Sequence, residues 1–260
     1  MRRILVIGIG AGDPDQLTLQ AIKALNQVDV FFLLDKGQQV AELARLRCDL
    51  LARHAGQRPY RVVEAQDPHR DRTGRGYPAA VGEWRRRRAD LYERLITDEL
   101  ADHQCGGFLV WGDPALYDST IGVLDTVCDR GMVAFDYTVI PGISSVSALA
   151  ARHRIGLNRV GKPVQITTGR RLSEGLPKEA DDVVVMLDSR VAFRQIADDG
   201  LEIFWGAYLG TPDEILVSGL LAEVGHRVEE LRAEARERKG WIMDTYLLRR
   251  TSGSGDQDDG

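Results

Sequence analysis

Short apolar runs alternate with amphipathic stretches through the first half of the chain. The runs are rich in Val, Ile, Leu and Phe, which predicts buried strands over residues 3–9, 28–34, 60–65, 108–111 and 133–140. The stretches between them repeat apolar positions every three or four residues, which predicts helices over residues 16–26, 40–53, 81–103 and 121–130. This alternation is typical of a mostly parallel sheet covered by helices.

The pattern changes after Pro141-Gly142. Ser144 or Ser145 is suited to cap a helix that runs to about Arg154. Strands are predicted over residues 164–168, 182–187, 202–209 and 241–249, with two segments, 213–223 and 228–239, left without a type. Less helix separates these strands, which indicates a mixed sheet. We therefore expect two α/β domains, residues 1–140 and 141–250, followed by a disordered tail over residues 251–260.

Composition narrows the class of protein. The 260 residues carry a net charge of −5, with 43% hydrophobic and 28% charged residues, as is ordinary for a soluble globular protein. The acidic balance disfavours a nucleic-acid partner, and no apolar stretch is long enough to span a membrane. The three cysteines, Cys48, Cys105 and Cys128, form no C-x-x-C pair. With no signal-peptide pattern at the start, we expect reduced thiols, no metal and a cytoplasmic protein.

Two Gly-Asp-Pro turns follow buried strands. Gly12-Asp13-Pro14 comes after the first strand, and Gly112-Asp113-Pro114 comes one hundred residues later. Open α/β sheets bind ligands at the carboxyl ends of their strands. Glycine lets the backbone approach a ligand, aspartate offers an acceptor, and proline fixes the direction of the chain. The two turns predict one pocket built from two strand ends.

The glycines of the first turn also allow other interpretations. A dinucleotide fingerprint starting at Gly8 and Gly10 needs Gly or Ala at position 13, where this chain has Asp13. A carboxylate there faces a pyrophosphate poorly, so a nicotinamide-dependent oxidoreductase is the weaker alternative. A turn that binds no ligand also stays open.

Taken in order, the motifs resemble those of the tetrapyrrole methylases, the S-adenosylmethionine-dependent family of sirohaem and cobalamin synthesis. The matching segments are residues 6–13, 17–24, 108–114, 141–145, 183–186 and 208–211. The resemblance extends over about residues 3–250. Ala11 stands where the family commonly has proline, and Trp111 stands where it often has glycine.

Further runs are similar to one branch of the family, which methylates C-1 of precorrin-5 in aerobic cobalamin synthesis and releases acetate. These runs are residues 33–37, 71–74, 184–188 and 208–214. The G-R-G-G-E run of the sirohaem branch is absent after Pro114, which puts a uroporphyrinogen substrate in doubt. Another corrin-ring methylase is the alternative within the family, and a tetrapyrrole carrier without catalytic activity also stays open.

The resemblance implies an active site in a cleft between two domains and a typical homodimer. It implies that S-adenosylmethionine contacts Ala11, Trp111, Gly112, Asp113, Leu116, Ser144, Ser145, Met186, Leu209 and Gly210. The sulfonium of this cofactor is a good leaving group, so no metal is required. From the residues alone, Ser145 could be only a helix cap and Met186 only a core residue.

The substrate implied by the resemblance is a flexible ring with many carboxylates, which guanidinium groups bind as a bidentate fork. Residues 70–88 are rich in arginine, and we expect the ring pocket to include Arg72, Tyr77, Trp84, Arg85 and Arg88. The alternative is a solvated helix face, and at most two of the four consecutive arginines can face a ligand. Deacylation needs water to add to a carbonyl, and Asp35, after the second strand, is the candidate general base. Asp35 could instead cap a helix or pair with Lys36.

Overall fold

The computed structural model describes residues 1–35, 41–69, 77–177, 179–196, 198 and 200–251. The chain divides into two compact units, Met1–Ser144 and Ser145–Gly260. Beyond Thr251, the predicted tail lies outside the described residues. Within the described ranges, no helix combines the length and the apolar character that crossing a membrane requires.

The first unit is a five-stranded parallel sheet flanked by helices, in the order β3-β2-β4-β1-β5. Along the chain its elements are β1 (Arg2–Gly8), a 3-10 turn (Pro14–Gln16), α1 (Leu19–Leu25), β2 (Val30–Asp35), α2 (Ala41–His54), β3 (Arg61–Gln66), α3 (Tyr77–Glu99), β4 (Cys105–Val110), α4 (Thr120–Arg130) and β5 (Phe135–Ile140). Because all strands run the same way, their carboxyl ends lie on one edge.

Burial on both faces accounts for the apolar strands of this sheet. Every residue of β4 is buried, and the strand contributes Phe108 to one core cluster and Leu109 to the other. Gly106 and Gly107, the second and third residues of this strand, must be glycine because a Cβ on either would lie within 3 Å of the side chain of Phe32 or Val28. The neighbouring large residues occupy the space that side chains on β4 would need.

The second unit is a mixed five-stranded sheet in the order β6-β7-β10-β8-β9. Its elements are α5 (Ser145–His153), β6 (Val164–Thr168), α6 (Gly169–Leu172), β7 (Asp182–Met186), a 3-10 turn (Ala192–Gln195), β8 (Leu201–Ala207), β9 (Ile215–Leu220), α7 (Leu221–Lys239) and β10 (Asp244–Arg250). β10 is central and antiparallel to both β7 and β8. A single core cluster, with Trp205 and Tyr246 fully buried, holds this unit together.

The predicted fold class is confirmed: one sheet is parallel and the other is mixed. Several element bounds differ from the sequence prediction, including those of β4, which begins at Cys105 rather than at residue 108, and of α3, which covers Tyr77–Glu99 rather than residues 81–103. The first helix begins at Leu19 rather than at residue 16, because the Thr18 hydroxyl accepts a hydrogen bond from Ala21 N and caps the helix there. The unassigned segment 213–223 contains β9 and the start of α7. The last predicted strand begins at Asp244, three residues later than expected.

Candidate active site

The two Gly-Asp-Pro turns lie side by side at the carboxyl edge of the first sheet. Ile9 N donates to Val110 O at 2.9 Å, so β1 and β4 stay paired to their ends. One residue further, Gly10 and Gly112 exchange hydrogen bonds, of 3.3 Å from Gly10 N and 2.8 Å from Gly112 N. Both glycines have positive φ, +80° and +67°, which glycine adopts at little cost.

The end of β5 joins this pair through close backbone contact. A Cβ on Gly8 would lie 2.6 Å from Gly142 N. A Cβ on Gly142 would overlap the carbonyl oxygen of Gly112 and lie 2.8 Å from the carbonyl carbon of Gly8. Glycine is therefore required at these positions by the packing of three strand ends.

The aspartates of the two turns have different roles. Asp113 accepts hydrogen bonds on both carboxylate oxygens: Oδ1 from Ala115 N at 2.8 Å, and Oδ2 from Gly142 N at 2.9 Å. It thereby ties the end of β4 to the end of β5. Asp13 accepts from Asp15 N at 2.9 Å and caps only its own 3-10 turn. The second turn is thus the one that joins neighbouring strand ends.

Polar atoms without a partner gather at the same edge. Gln16 Oε1 and Trp111 Nε1 are buried, and neither meets a hydrogen-bond partner within the part of the chain that the structure describes. Gln16 packs against Gly10, while Trp111 directly precedes Gly112. Buried polar groups are nearly always hydrogen-bonded in folded proteins. A buried acceptor, Gln16 Oε1, and a buried donor, Trp111 Nε1, both without a described partner on adjoining turns, therefore indicate a place for a polar ligand.

The second unit gathers another group of predicted residues. Thr245 of β10 lies opposite Met186 on one side and opposite Gly206 on the other. Ser145, the first residue of α5, lies with Oγ 3.1 Å from Thr245 Oγ1. Leu209 packs over Gly206, where a Cβ would lie 2.6 Å from Leu209 Cδ2. Ser145, Met186 and Leu209 are thus arranged around Thr245 and Gly206, neither of which the sequence singled out.

The turns after β7 and β8 are held in an unusual backbone conformation. Leu187 and Tyr208 have φ values of +54° and +50°, and Gly210 has +76°. Non-glycine residues rarely adopt positive φ, and such residues cluster at binding sites. The Tyr208 hydroxyl holds its turn by donating to Trp241 O at 2.6 Å, and Gly210 N donates to Glu214 Oε2 at 2.7 Å.

A buried polar network stabilises the strands that carry these turns. Arg232 Nε donates to Asp244 Oδ2 at 2.8 Å, and Trp205 Nε1 donates to the same oxygen at 3.0 Å. Tyr246 donates to Asp188 Oδ2 at 2.7 Å. Burial raises the pKa of Asp244, and the charge of Arg232 opposes that rise. Sequence reasoning missed this network because its members come from three separate elements, α7, β8 and β10, and from the turn after β7.

The predicted substrate residues are differently placed. Arg88 is buried, with Nε 2.9 Å from Asp67 Oδ1 and its terminal nitrogens donating to the hydroxyls of Tyr92, at 3.0 Å, and Ser119. Its guanidinium carbon lies 5.0 Å from the centroid of the Trp84 ring. Arg85, three residues earlier on α3, is exposed.

The remaining predicted residues lie partly or wholly outside the described part of the chain. Arg72 is outside it entirely, as are the side chains of Asp35, at the end of β2, and Tyr77, at the start of α3. Ala11 is buried within the first turn, Leu116 N donates to Asp113 O at 3.1 Å, and Ser144 is half-buried. The first unit thus brings together Ala11, Trp111, Gly112, Asp113 and Leu116, and the second unit brings together Ser145, Met186, Leu209 and Gly210.

The chain belongs to the tetrapyrrole (corrin/porphyrin) methylase family, whose model matches residues 3–225. It is 53% identical over 250 residues to a Sinorhizobium sp. protein named precorrin-6A synthase [deacetylating], covering 96% of each chain. A putative cobalamin synthesis related protein (CobF) from Corynebacterium diphtheriae has the same fold, with 39% identity and a TM-score of 0.83; the alignment covers 97% of this chain and 100% of that one. A uroporphyrin-III C-methyl transferase from Thermus thermophilus, complexed with S-adenyl homocysteine, shares the fold at 20% identity and a TM-score of 0.57, over 95% and 92% of the two chains.

Members of this family are S-adenosylmethionine-dependent methyltransferases, and the residues present suit that cofactor. Its ammonium and hydroxyl groups are donors for an acceptor such as Gln16 Oε1, and its carboxylate is an acceptor for a donor such as Trp111 Nε1. In the described ranges, no three His, Cys, Asp or Glu side chains are grouped so that they could hold a metal ion.

Proposed function

We propose that this chain methylates C-1 of precorrin-5 with S-adenosylmethionine and releases acetate to form precorrin-6A, in aerobic cobalamin synthesis. The support is its 53% identity to a relative named for this reaction. The structural observation that carries the proposal is the hydrogen-bonded pair of Gly10 and Gly112, where the first two motifs of the family meet at the carboxyl edge of a parallel sheet.

The first step is methyl transfer from sulfur to carbon. When bound, S-adenosylmethionine would supply a methyl group attached to a sulfonium, and the sulfur would remain as a neutral thioether after the transfer. This chain then has to hold donor and acceptor in line and exclude water, and such orientation is worth roughly 7–11 kcal/mol in well-aligned systems. The bonds from Asp113 to Ala115 and Gly142 provide a rigid turn for that purpose.

The second step is loss of the acyl group. Water adds to the acyl carbonyl, the carbon–carbon bond to the ring breaks, its electron pair returns to the ring, and acetate leaves. We propose Asp35 as the base that takes the proton from water, because Asp35 ends β2 at the carboxyl edge of the sheet. We propose Arg72, Arg85 and Tyr77 as contacts of the ring substituents.

Arg88 and Trp84 act together in this proposal. Trp84 Nε1 donates to Pro68 O at 2.9 Å, and Arg88 stacks on the indole while its guanidinium is bound by Asp67. The pair would present the indole to the ring as a fixed apolar surface.

The proposal also includes a cytoplasmic homodimer, because tetrapyrrole methylases are typically homodimers. Light scattering on the purified protein is expected to give twice the chain mass of 28.9 kDa. A mass of 28.9 kDa at micromolar concentration would contradict the dimer.

Turnover of precorrin-5 tests the activity directly. Purified protein, S-adenosylmethionine and precorrin-5 are expected to yield one acetate and one S-adenosylhomocysteine for each precorrin-6A, measured by mass spectrometry and enzymatic acetate assay. Methylation of a different precorrin without acetate release would instead indicate another corrin-ring methylase. Failure to bind the cofactor in calorimetry would reject both.

A matched pair of variants tests the role of the second turn. Asp113→Asn replaces one acceptor oxygen with an amide donor, which cannot satisfy both backbone N–H groups. We expect about a tenfold loss of cofactor affinity, about 1.4 kcal/mol. Asp13→Asn, the equivalent change in the first turn, is expected to alter affinity by less than twofold. Equal effects of the two variants would contradict the assignment.

A further inference from the structure

Arg47 occupies an unusual position for a helix arginine. It lies on α2, with its guanidinium carbon 5.6 Å from the centroid of the Trp111 ring. Trp111 is the residue directly after β4, so this stacked pair stands at the carboxyl edge of the first sheet, next to the second Gly-Asp-Pro turn. Guanidinium groups stack favourably on indole rings while their N–H groups stay free to donate in the plane.

The polar atoms of this pair are poorly satisfied. Arg47 Nε and Trp111 Nε1 are both buried, and neither has a hydrogen-bond partner among the residues that the structure describes. Burial lowers the pKa of Arg47 to about 10, and the charge of Asp118 only partly opposes this. Asp118 is exposed and accepts a hydrogen bond from Thr120 N at 2.7 Å.

Arg88, a buried arginine at the same edge, has an ion-pair partner and two hydroxyl acceptors, although its Nε also makes no hydrogen bond within the described residues. Asp67 balances its charge, with Nε and Oδ1 2.9 Å apart, and the hydroxyls of Tyr92 and Ser119 accept from its terminal nitrogens. Arg47 is half-buried and also stacks on an indole ring, but it has no such set of partners among the residues that the structure describes. A charge that is buried without a partner is costly, and a ligand anion would remove that cost.

We propose that Arg47, stacked on Trp111, binds one side-chain carboxylate of the tetrapyrrole substrate through its guanidinium group. This inference rests on the proposed function, since it specifies how the same site recognises its substrate. A carboxylate accepts two parallel N–H bonds from one guanidinium, so Arg47 fixes the ring in orientation as well as in place. The carboxylate of S-adenosylmethionine has the same chemistry, and the experiment separates the two sources.

The test compares Arg47→Met and Arg47→Lys with Arg45→Met, which removes an exposed arginine from the same helix. Two affinities are measured by titration: that for S-adenosylhomocysteine, and that for precorrin-5 with S-adenosylhomocysteine present, so that no turnover occurs. We expect Arg47→Met to weaken precorrin-5 binding by 10- to 100-fold and Arg47→Lys to restore part of it. Cofactor affinity is expected to stay within twofold, and Arg45→Met to change neither affinity.

Each other outcome overturns the inference in a distinct way. Weaker cofactor binding with unchanged precorrin-5 binding would assign the carboxylate to the cofactor. No change in either affinity would show that Arg47 binds no anion here. If Arg47→Met fails to fold, Arg47→Lys decides alone, and wild-type affinity in that variant refutes the role. Wild-type protein that binds precorrin-5 but does not turn it over refutes the proposed function, while the comparison of affinities still judges Arg47.

Discussion

Gly142→Ala is expected to destabilise the first unit strongly, because three strand ends leave no space for a methyl group. The new Cβ would overlap the carbonyl oxygen of Gly112 and lie 2.8 Å from the carbonyl carbon of Gly8. Carbon atoms pack best at about 3.5 Å or more, so the contact with Gly8 alone requires the backbone to move by about 0.7 Å, and the closer contact with the Gly112 oxygen requires more. Overpacking of this kind costs about 1–3 kcal/mol.

The displacement also strains the hydrogen bond from Gly142 N to Asp113 Oδ2, which is 2.9 Å long. A hydrogen bond to a charged group contributes about 1.5–3 kcal/mol. The two effects together predict a loss of about 3–5 kcal/mol in the free energy of unfolding. Cofactor affinity is expected to fall as well, because the second turn loses its tie to β5.

Gly122→Ala is the matched control, since a Cβ there meets nothing within 4 Å in α4. Replacing a helix glycine with alanine gains about 0.5–1 kcal/mol. Urea unfolding followed by circular dichroism measures both variants against the wild type. If Gly142→Ala stays within about 1 kcal/mol of the wild type, the proposed tight packing of the three strand ends is wrong.

Two further predictions concern the second unit. Arg232→Met leaves Asp244 with a buried, uncompensated charge, and we expect it to lower the free energy of unfolding in urea by about 3–5 kcal/mol. The control is Arg238→Met, at a side chain 60% exposed, which should change the free energy of unfolding by less than about 0.5 kcal/mol. Equal losses in the two variants would show that the buried ion pair stabilises the fold no more than the exposed one. Burial lowers the pKa of His153, so the folded state resists its protonation and stability should fall as the pH drops below the unfolded-state value of about 6.5. His153→Gln should reduce the decrease in the free energy of unfolding between pH 7 and pH 5, measured by urea unfolding. His226→Gln, at an exposed histidine, should leave that decrease as it is in the wild type. The same decrease in His153→Gln and the wild type would rule out His153 as a source of the pH dependence.

The alternation of strands and helices could be predicted because each element contains its own periodicity. The start of β4 was missed because Gly106 and Gly107 have little strand preference of their own, and their place is set by Phe32 and Val28 from other elements. The strand β9 was missed because its residues are only half-buried, so its apolar pattern is weak.

The candidate site shows the same limit more sharply. The two Gly-Asp-Pro turns are visible as motifs, yet the hydrogen bond from Gly142 to Asp113 crosses 29 residues. Nothing near Arg88 in the sequence indicates that Asp67 balances its charge, and nothing near Arg47 indicates that it reaches Trp111. Within the described residues, tertiary packing decides which of these arginines has partners and which lacks them, and neighbouring residues do not encode it.

The reciprocal hydrogen bonds between Gly10 and Gly112 restrict how a ligand can be recognised at this edge. Each glycine already uses its N–H, and each carbonyl already accepts one bond from the other. In the proposed function, Gly112 therefore has no free backbone N–H to offer the cofactor. Under that proposal, the protein would select its cofactor at this point by shape, and directional recognition would fall to the polar side chains around the two turns.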